Sequence, residues 1–323
     1  MRVGRLYFGG MMRSLFWGSR RVLVTGGAGF LGSHIVRLLK SLGACVYVPR
    51  SSKYDLTTES GASRLFIDHP ADIVIHAAGY VGGILANQQE PGTMFYRNAM
   101  MGLNVLEQCR RHNVAKAVYI GTVCSYPLHA IVPFKESDLW EGYPERTNGP
   151  YGMAKKLHLV QAQANYAQFG TDTAYLLMAN LYGPGDHSDP QRSHFVPALI
   201  KRVLNASEMG LESICLWGTG KATRDLLYVE DAAEAILRAA EHYKSPDPVN
   251  IGTGRSYSIA EVAATIAATI GYRGRIEWDH SKPDGQPNRG LDVSLADREF
   301  GWRARTPLSA GLARTISYFR AIS

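Results

Sequence analysis

The sequence has no uninterrupted apolar run approaching the ~18 to 20 residues of a membrane-spanning helix, because charged residues or glycine break every long hydrophobic stretch. It also has no block of five or more Lys and Arg residues, which argues against a nucleic-acid partner despite a formal net charge of +7. Its four cysteines form no C-x-x-C pair, so neither a zinc site nor a disulfide framework is indicated. We expect a reducing, cytoplasmic setting.

The first 20 residues contain four arginines and no acidic residue, and they supply much of the positive charge. They lack the continuous apolar core and the small-residue cleavage site of a secretory signal. We therefore predict that residues 1–20 form an extension outside the fold.

From Arg21 onward, short β-branched runs alternate with amphipathic stretches, which is typical of βαβ units and a parallel sheet. The predicted strands cover 21–25, 44–48, 72–77, 117–121 and 173–179, and the predicted helices cover 30–42, 58–68, 97–113 and 151–169. We assign residues 21–180 to the α/β class, as a dinucleotide-binding domain with a doubly wound parallel (Rossmann) sheet.

Beyond residue 180 the pattern is less regular, with a cluster of Gly, Pro, Asp and Ser. Shorter strands are predicted at 214–217 and 248–252, and helices at 195–205, 230–243, 258–271 and 308–321. Residues 181–323 are predicted to form mainly a smaller mixed α/β substrate lobe, interleaved with the sheet.

A glycine-rich run, T-G-G-A-G-F-L-G, follows the first predicted strand and opens the first predicted helix. In this context Gly26 permits a tight turn, Gly29 lets the backbone approach a pyrophosphate, and Gly32 lets helix and strand pack closely. We expect the run, with Phe30 and Leu31 in the first helical turn, to bind a dinucleotide. The alternative is a glycine-rich turn without a ligand.

The end of the second predicted strand selects between the nicotinamide cofactors, because a carboxylate there binds the ribose 2′-hydroxyl whereas arginine accommodates a 2′-phosphate. This sequence has Arg50 and Ser51 there, and no carboxylate before Asp55. The pattern favours NADP(H), and the alternative is a solvated turn.

Tyr151 and Lys155 are four residues apart on a predicted helix, so their side chains share one face. A nearby ammonium is expected to lower the pKa of the phenol and let it exchange a proton near neutral pH. Thr122 closes the fourth predicted strand, at the sheet edge where ligands bind, and can bond the same substrate oxygen. A surface Tyr–Lys pair and a structural threonine are the alternatives.

Four motifs together resemble the extended short-chain dehydrogenase/reductase family over nearly all of 21–321: the glycine run, His76-Ala77-Ala78-Gly79, Thr122 and Y-x-x-x-K. Further runs are similar to the members that epimerise and reduce nucleotide-linked 4-keto-6-deoxy sugars. These runs are V-G-G-I at 81–84, C-S-Y-P at 124–127, N-L-Y-G-P at 180–184, S-H-F-V-P-A-L at 193–199, W-G-T-G at 217–220 and S-K-P-D-G at 281–285.

The resemblance implies a reducing triad of Thr122, Tyr151 and Lys155, and a base and acid pair of Cys124 and His194 for epimerisation. It also implies that Ala77 and Ala78 lie beside the cofactor. The substrate-binding residues that it implies are Asn180, His194, Arg202, Trp217, Arg224 and Arg289, with Lys282 a weaker candidate in a predicted turn. The basic and aromatic members of this set are also credible as ordinary surface or core residues.

We thus expect an NADPH-dependent 4-ketoreductase acting on a nucleotide-diphosphate sugar, coupled to 3,5-epimerisation, in a homodimer built on helices 97–113 and 151–169. Two departures from the family pattern leave the sugar open: Tyr80 replaces a frequent lysine, and the loop at 186–189 differs. One alternative is a plain 4-ketoreductase or an epimerase of another deoxyhexose or heptose. The alternative that is not an enzyme is a non-catalytic dinucleotide sensor, which would use this fold as a binding module.

Overall fold

The computed structural model describes residues 15–187, 194–282 and 286–322. Its strands are β1 (Arg21–Thr25), β2 (Cys45–Tyr47), β3 (Ile73–His76), β4 (Lys116–Thr122), β5 (Thr173–Met178), β6 (Asn180–Tyr182), β7 (Ser213–Trp217), β8 (Thr223–Tyr228), β9 (Pro248–Ile251), β10 (Ser256–Ser258), β11 (Arg275–Asp279) and β12 (Asn288–Arg289). Its helices are α1 (Phe30–Ser41), α2 (Glu59–Asp68), α3 (Ile84–Gln89), α4 (Pro91–Arg111), α5 (Gly149–Phe169), α6 (Phe195–Glu208), α7 (Val229–His242), α8 (Ile259–Ile270), α9 (Ser294–Phe300) and α10 (Leu308–Ile322).

The central sheet is parallel and has the strand order β2-β1-β3-β4-β5-β9. The chain runs outward from β1 to β2 and then returns to place β3 on the other side of β1. Ligands of such sheets bind at this reversal, beyond the carboxyl ends of the strands. The predicted doubly wound Rossmann sheet is confirmed.

The inner strands are apolar on both faces because helices cover both sides of the sheet. Every residue of β3 and of β5 is buried, as expected for strands of a covered parallel sheet. Helices α1 and α7 pack against each other, and α4 packs against α5. This packing places the amino end of α5 beside the carboxyl end of β4.

The second half of the chain builds smaller sheets and also completes the main one. Strand β8 pairs with β6, β10 and β12, and β7 pairs with β11. A separate apolar cluster joins α6, α8 and α10 to these strands. Strand β9 belongs to the second half but forms the outer strand of the main sheet next to β5.

The segment before β1 packs against the domain through Trp17, whereas Leu15 is largely exposed. Trp17 is fully buried in the main core, and its indole N–H donates to Oε1 of Glu241 at 2.5 Å. The expectation that the whole of 1–20 lies outside the fold is therefore wrong for Trp17, which belongs to the main core, and for Phe16, which packs against that core. The rest of that extension lies outside the described residues.

Helix α4 begins at Pro91, six residues earlier than the predicted start at residue 97. Proline suits the first turn of a helix, where its missing N–H needs no partner. The strands β6, β10 and β12 have no counterpart in the predicted pattern, since two or three residues carry little periodicity, and the longer strands β8 and β11 were not predicted either. Within the three described ranges, no helix is both long and apolar enough to cross a membrane.

Candidate functional site

The glycine run forms a turn in which two side-chain positions are occupied by backbone atoms. Gly26 has a positive φ of 69°, and a Cβ there would lie 2.6 Å from the nitrogen of Ala78. A Cβ on Gly32 would lie 2.1 Å from the carbonyl oxygen of Gly26. Both contacts are shorter than any real Cβ contact, so α1 and β3 approach this turn only because these residues are glycine.

The turn leads into the amino end of α1, where Gly29 is the N-cap residue. Its N–H donates to the carbonyl oxygen of Gly26 at 2.9 Å, and no side chain can cap the first helical N–H groups from this position. Phe30 and Leu31 begin the helix and are half-buried. Exposed N–H groups and the positive end of the helix dipole suit a pyrophosphate, so these residues fit a dinucleotide.

The neighbouring end of β3 closes the other side of the turn. Ala77 and Ala78 follow β3 directly and are half-buried. The N–H of Ala78 lies 3.4 Å from Oγ1 of Thr25, which also bonds Nδ1 of the buried His76 at 2.8 Å. The structure therefore brings both alanines to the glycine turn, as the resemblance implied.

Arg50 and Ser51 follow β2 and are exposed. Their backbone turns away from the sheet through bonds from the N–H groups of Lys53 and Tyr54 to the carbonyl oxygen of Arg50, both 3.0 Å long. Strand β2 is the neighbour of β1. The guanidinium is thus carried at the sheet edge that also holds the glycine turn.

Tyr151 and Lys155 lie in the first two turns of α5, and Nζ of Lys155 is 6.0 Å from the centre of the Tyr151 ring. Burial raises the pKa of Tyr151, and the neighbouring Cys124 raises it further. Burial lowers the pKa of Lys155 to about 8. The expectation of a lowered phenol pKa is wrong here, because desolvation outweighs the attraction of an ammonium at that distance.

The histidines beneath Lys155 add no charge to it. His158 is buried one turn further along α5, and burial, followed by the charge of Lys155, lowers its pKa to about 3. Its Nε2 bonds the carbonyl oxygen of Asn98 at 3.0 Å. The same causes hold the pKa of the buried His76 well below its ordinary value. Lys155 is therefore the only one of these three bases that is protonated near neutral pH.

Thr122 ends β4, and a 3-10 turn carrying Cys124 follows at once. Oγ1 of Thr122 accepts the N–H of Cys124 at 3.2 Å and keeps its own proton for another acceptor. The hydroxyl of Ser125 donates to the carbonyl oxygen of Gly152 at 3.0 Å. A Cβ on Gly152 would lie 2.5 Å from the carbonyl oxygen of Cys124, so a glycine lets this turn press against α5.

Arg289 lies against Cys124, although the residues are 165 positions apart in sequence. Its Nη1 is 3.3 Å from Sγ of Cys124, and its Nε donates to Oε1 of Gln286 at 2.7 Å. The guanidinium is buried, so this contact lies away from bulk water. The family resemblance implied that Arg289 binds substrate, and no sequence pattern predicted its contact with Cys124.

His194 is the N-cap residue of α6, and its Nδ1 lies 3.2 Å from Oδ1 of Asp186. Partial burial lowers the pKa of His194, but the hydrogen bond and the charge of Asp186 together raise it above its ordinary value. In the sequence analysis, Asp186 appears only as part of the loop at 186–189 that differs from the family pattern. Its role as a histidine partner is visible only in the structure.

The remaining substrate candidates are placed less uniformly. Asn180 begins β6, and its buried Oδ1 has no hydrogen-bond partner among the described residues. Arg224 is half-buried on β8 and is the register partner of Arg289 on β12. These two strands carry both arginines to one side of the smaller sheet.

Two other candidates are exposed. Arg202 lies on the outer surface of α6, and Trp217 ends β7 with 60% of its surface accessible. Nζ of Lys282 is 5.8 Å from the centre of the Trp217 ring. No contact among the described residues brings Arg202 or Trp217 to Cys124 or Tyr151.

Comparison with known proteins agrees with this arrangement. The sequence model of the NAD dependent epimerase/dehydratase family matches residues 22–252. A protein of Sinorhizobium fredii named GDP-L-fucose synthase is 38% identical over 300 residues, which cover 93% of this chain and 95% of the relative. A GDP-L-colitose synthase of Yersinia pseudotuberculosis is 33% identical and covers 93% of this chain and 97% of the relative.

A solved GDP-L-fucose synthetase from Naegleria fowleri, bound to NADP, superposes with a TM-score of 0.85 at 26% identity. The match covers 94% of this chain and 93% of that one. The glycine turn, the Tyr151–Lys155 helix and the matched length point to one conclusion: this chain belongs to the NAD-dependent epimerase/dehydratase family.

Proposed function

We propose that this chain is a 3,5-epimerase and 4-reductase of a GDP-linked 4-keto-6-deoxyhexose, with the activity of a GDP-L-fucose synthase, using NADPH. The observation that carries the proposal is the cluster at the end of β4, where Thr122 and Cys124 meet the amino end of α5 and Arg289. The named relatives support the GDP sugar. A sensor that only binds dinucleotide needs none of these side chains.

Epimerisation uses the acidity that a C4 ketone gives to the hydrogens on C3 and C5. Cys124 acts as the base and removes one of these protons as a thiolate, beside the positive charge of Arg289. His194, whose pairing with Asp186 favours the protonated ring, returns a proton to the opposite face of the same carbon. The two steps invert the carbon and leave the ketone unchanged.

Reduction follows on the epimerised ketone. NADPH supplies a hydride to C4 when it is bound at the glycine turn. Tyr151 donates its phenolic proton to the C4 oxygen, and its raised pKa keeps that proton in place until it is needed. The hydroxyl of Thr122 bonds the same oxygen, and the ammonium of Lys155 stabilises the phenolate that forms.

NADPH is proposed in preference to NADH because Arg50 and Ser51 carry a cation and a hydroxyl to the position of the 2′-phosphate. The guanidinium of Arg50 is exposed and therefore remains solvated when no phosphate is bound. The cytoplasm is the proposed location, supported by four cysteines that are all free thiols.

A homodimer is proposed through α4 and α5, which present large apolar side chains to solvent. Leu157 and Val160 lie three residues apart on α5 and are 37% and 49% exposed. At the amino ends of both helices, an apolar cavity of about 460 Å³ is lined by Pro91, Gly92, Phe95, Tyr143, Pro150 and Met153. A second copy of the chain is the occupant that would cover this continuous face.

The reductase half is tested by NADPH consumption with GDP-4-keto-6-deoxymannose. Tyr151→Phe should slow turnover by about 10² to 10⁴-fold, because the general acid is lost, while NADPH still binds. Tyr166→Phe on the exposed face of the same helix is the control and should behave as wild type. Wild-type turnover by Tyr151→Phe would remove Tyr151 from the mechanism.

The epimerase half is tested by deuterium incorporation from D₂O into the sugar without NADPH. Wild type should exchange at C3 and C5, and Cys124→Ser should lose this exchange because a hydroxyl is a far weaker base than a thiolate. Cys215→Ser, at an exposed thiol on β7, is the matched control. If wild type exchanges neither carbon, the protein is a plain 4-ketoreductase.

A further inference from the structure

The carboxylate of Asp186 has an unusual setting for a loop residue. Its side chain is fully shielded from solvent, whereas the ring of His194 is 44% exposed. Nδ1 of His194 lies 3.2 Å from Oδ1 and 3.3 Å from Oδ2, so both oxygens face one ring nitrogen. The N–H of His187 donates to Oδ1 at 2.8 Å, so the backbone of the next residue also holds the carboxylate.

The chain around Asp186 is itself anchored to the dinucleotide-binding half. Nε2 of the buried His34, on α1, donates to the carbonyl oxygen of Pro184 at 2.8 Å. Burial, followed by the charge of Arg37, lowers the pKa of His34, so the ring is a neutral donor rather than a cation. Gly185 provides the positive φ of 85° by which the loop turns toward Asp186. The carboxylate is thus held by the scaffold.

This placement decides which nitrogen of His194 carries the working proton. A carboxylate that accepts from Nδ1 fixes the tautomer with hydrogen on Nδ1 and leaves Nε2 as the atom that exchanges a proton elsewhere. In the protonated ring, Nε2 then carries the acidic hydrogen, and the carboxylate compensates the positive charge. Without the carboxylate the ring can turn over or hold its proton on the wrong nitrogen.

We propose that Asp186 is a positioning residue that fixes the tautomer and orientation of His194, so that Nε2 delivers the proton in epimerisation. The inference rests on the proposed function, because it assigns a partner to the acid of that reaction. Asp186 touches neither substrate nor cofactor in this role. It acts through the imidazole alone.

The pairing is tested first in the unaltered protein. Above the titration midpoint of His194, long-range ¹H–¹⁵N NMR of ¹⁵N-histidine-labelled wild type should show the neutral ring with its hydrogen on Nδ1. A neutral ring with its hydrogen on Nε2 would overturn the proposal. This measurement needs neither a variant nor a turnover, so it is independent of the proposed activity.

The consequence is tested with Asp186→Asn, which keeps the shape and removes the charge. The NMR titration midpoint of His194 should fall because the neighbouring negative charge is lost, and deuterium exchange at the sugar carbons should fall by about 10- to 100-fold. Asp186→Glu should restore part of the exchange because it restores the charge. His187→Asn is the neighbouring control and should retain wild-type exchange, since only its backbone N–H contacts Asp186.

The outcomes separate this proposal from the proposed function. Wild-type exchange that survives unchanged in Asp186→Asn overturns the role of Asp186 and leaves the epimerase intact. Absence of exchange in wild type overturns the epimerase function, and the positioning role falls with it. Should Asp186→Asn fail to fold, as judged by lost NADPH binding, the Asp186→Glu exchange rate and the wild-type tautomer decide the matter.

Discussion

Replacing Gly32 with alanine should disable the cofactor turn, and the structure sets the size of the effect. The new Cβ would lie 2.1 Å from the carbonyl oxygen of Gly26 and 2.7 Å from Cα of Gly27. Both are backbone atoms, so no side-chain rotation relieves the clash, and the turn or α1 has to move by about 1 Å to reach ordinary contact. Overpacking of this kind costs about 1 to 3 kcal/mol of stability.

The loss of NADPH binding in Gly32→Ala tests the cofactor site more directly than the loss of stability does. A displacement of about 1 Å in the turn moves the first N–H groups of α1 away from the pyrophosphate, and such misplacements reduce function by up to about 10²-fold. We therefore expect the Kd for NADPH to rise by at least about tenfold, equivalent to ~1.4 kcal/mol. Titration calorimetry measures the Kd, and urea unfolding measures the free energy of unfolding.

Gly92→Ala is the matched control for this substitution. Gly92 lies in the first turn of α4, and a Cβ there meets no heavy atom within 4 Å. Alanine favours helix over glycine by about 1 kcal/mol, so this variant should be neutral or slightly more stable and should bind NADPH normally. If Gly32→Ala binds NADPH as tightly as Gly92→Ala, the glycine turn is not the pyrophosphate site.

Three further predictions address the ammonium of Lys155, the cofactor and the amino-terminal segment. Burial lowers the pKa of Lys155 to about 8, so its ammonium is present below that pH and is lost above it. We therefore expect kcat to fall on the alkaline side. A flat kcat from pH 7 to pH 9, measured with saturating substrates, would contradict this. Arg50→Ser should raise the Kd for NADPH by about tenfold and leave the Kd for NADH unchanged, because only the contact with the 2′-phosphate is lost. Equal changes in the two Kd values would exclude that contact. Trp17→Ala should lower the free energy of unfolding by about 3 to 5 kcal/mol, because the buried indole packs in the main core and bonds Glu241. A urea midpoint like that of wild type would place Trp17 outside the core.

Several parts of this protein follow from local sequence pattern. Short β-branched runs between amphipathic stretches predicted β1 to β5, and the glycine spacing predicted the turn that the structure forms between β1 and α1. The spacing of Tyr151 and Lys155 predicted that both lie on one helix. These features are readable because each is set by residues that are neighbours along the chain.

Tertiary structure alone decided which distant side chains meet and what their surroundings do to them. Cys124 meets Arg289 across 165 positions, and Trp17 meets Glu241 across 224, and no periodicity connects such pairs. The direction of the Tyr151 pKa shift also reversed, because it depends on how much water the fold removes, not on the spacing of two residues. A sequence specifies which groups are present, but charge and protonation at a site are set by burial and by partners that only packing brings within reach.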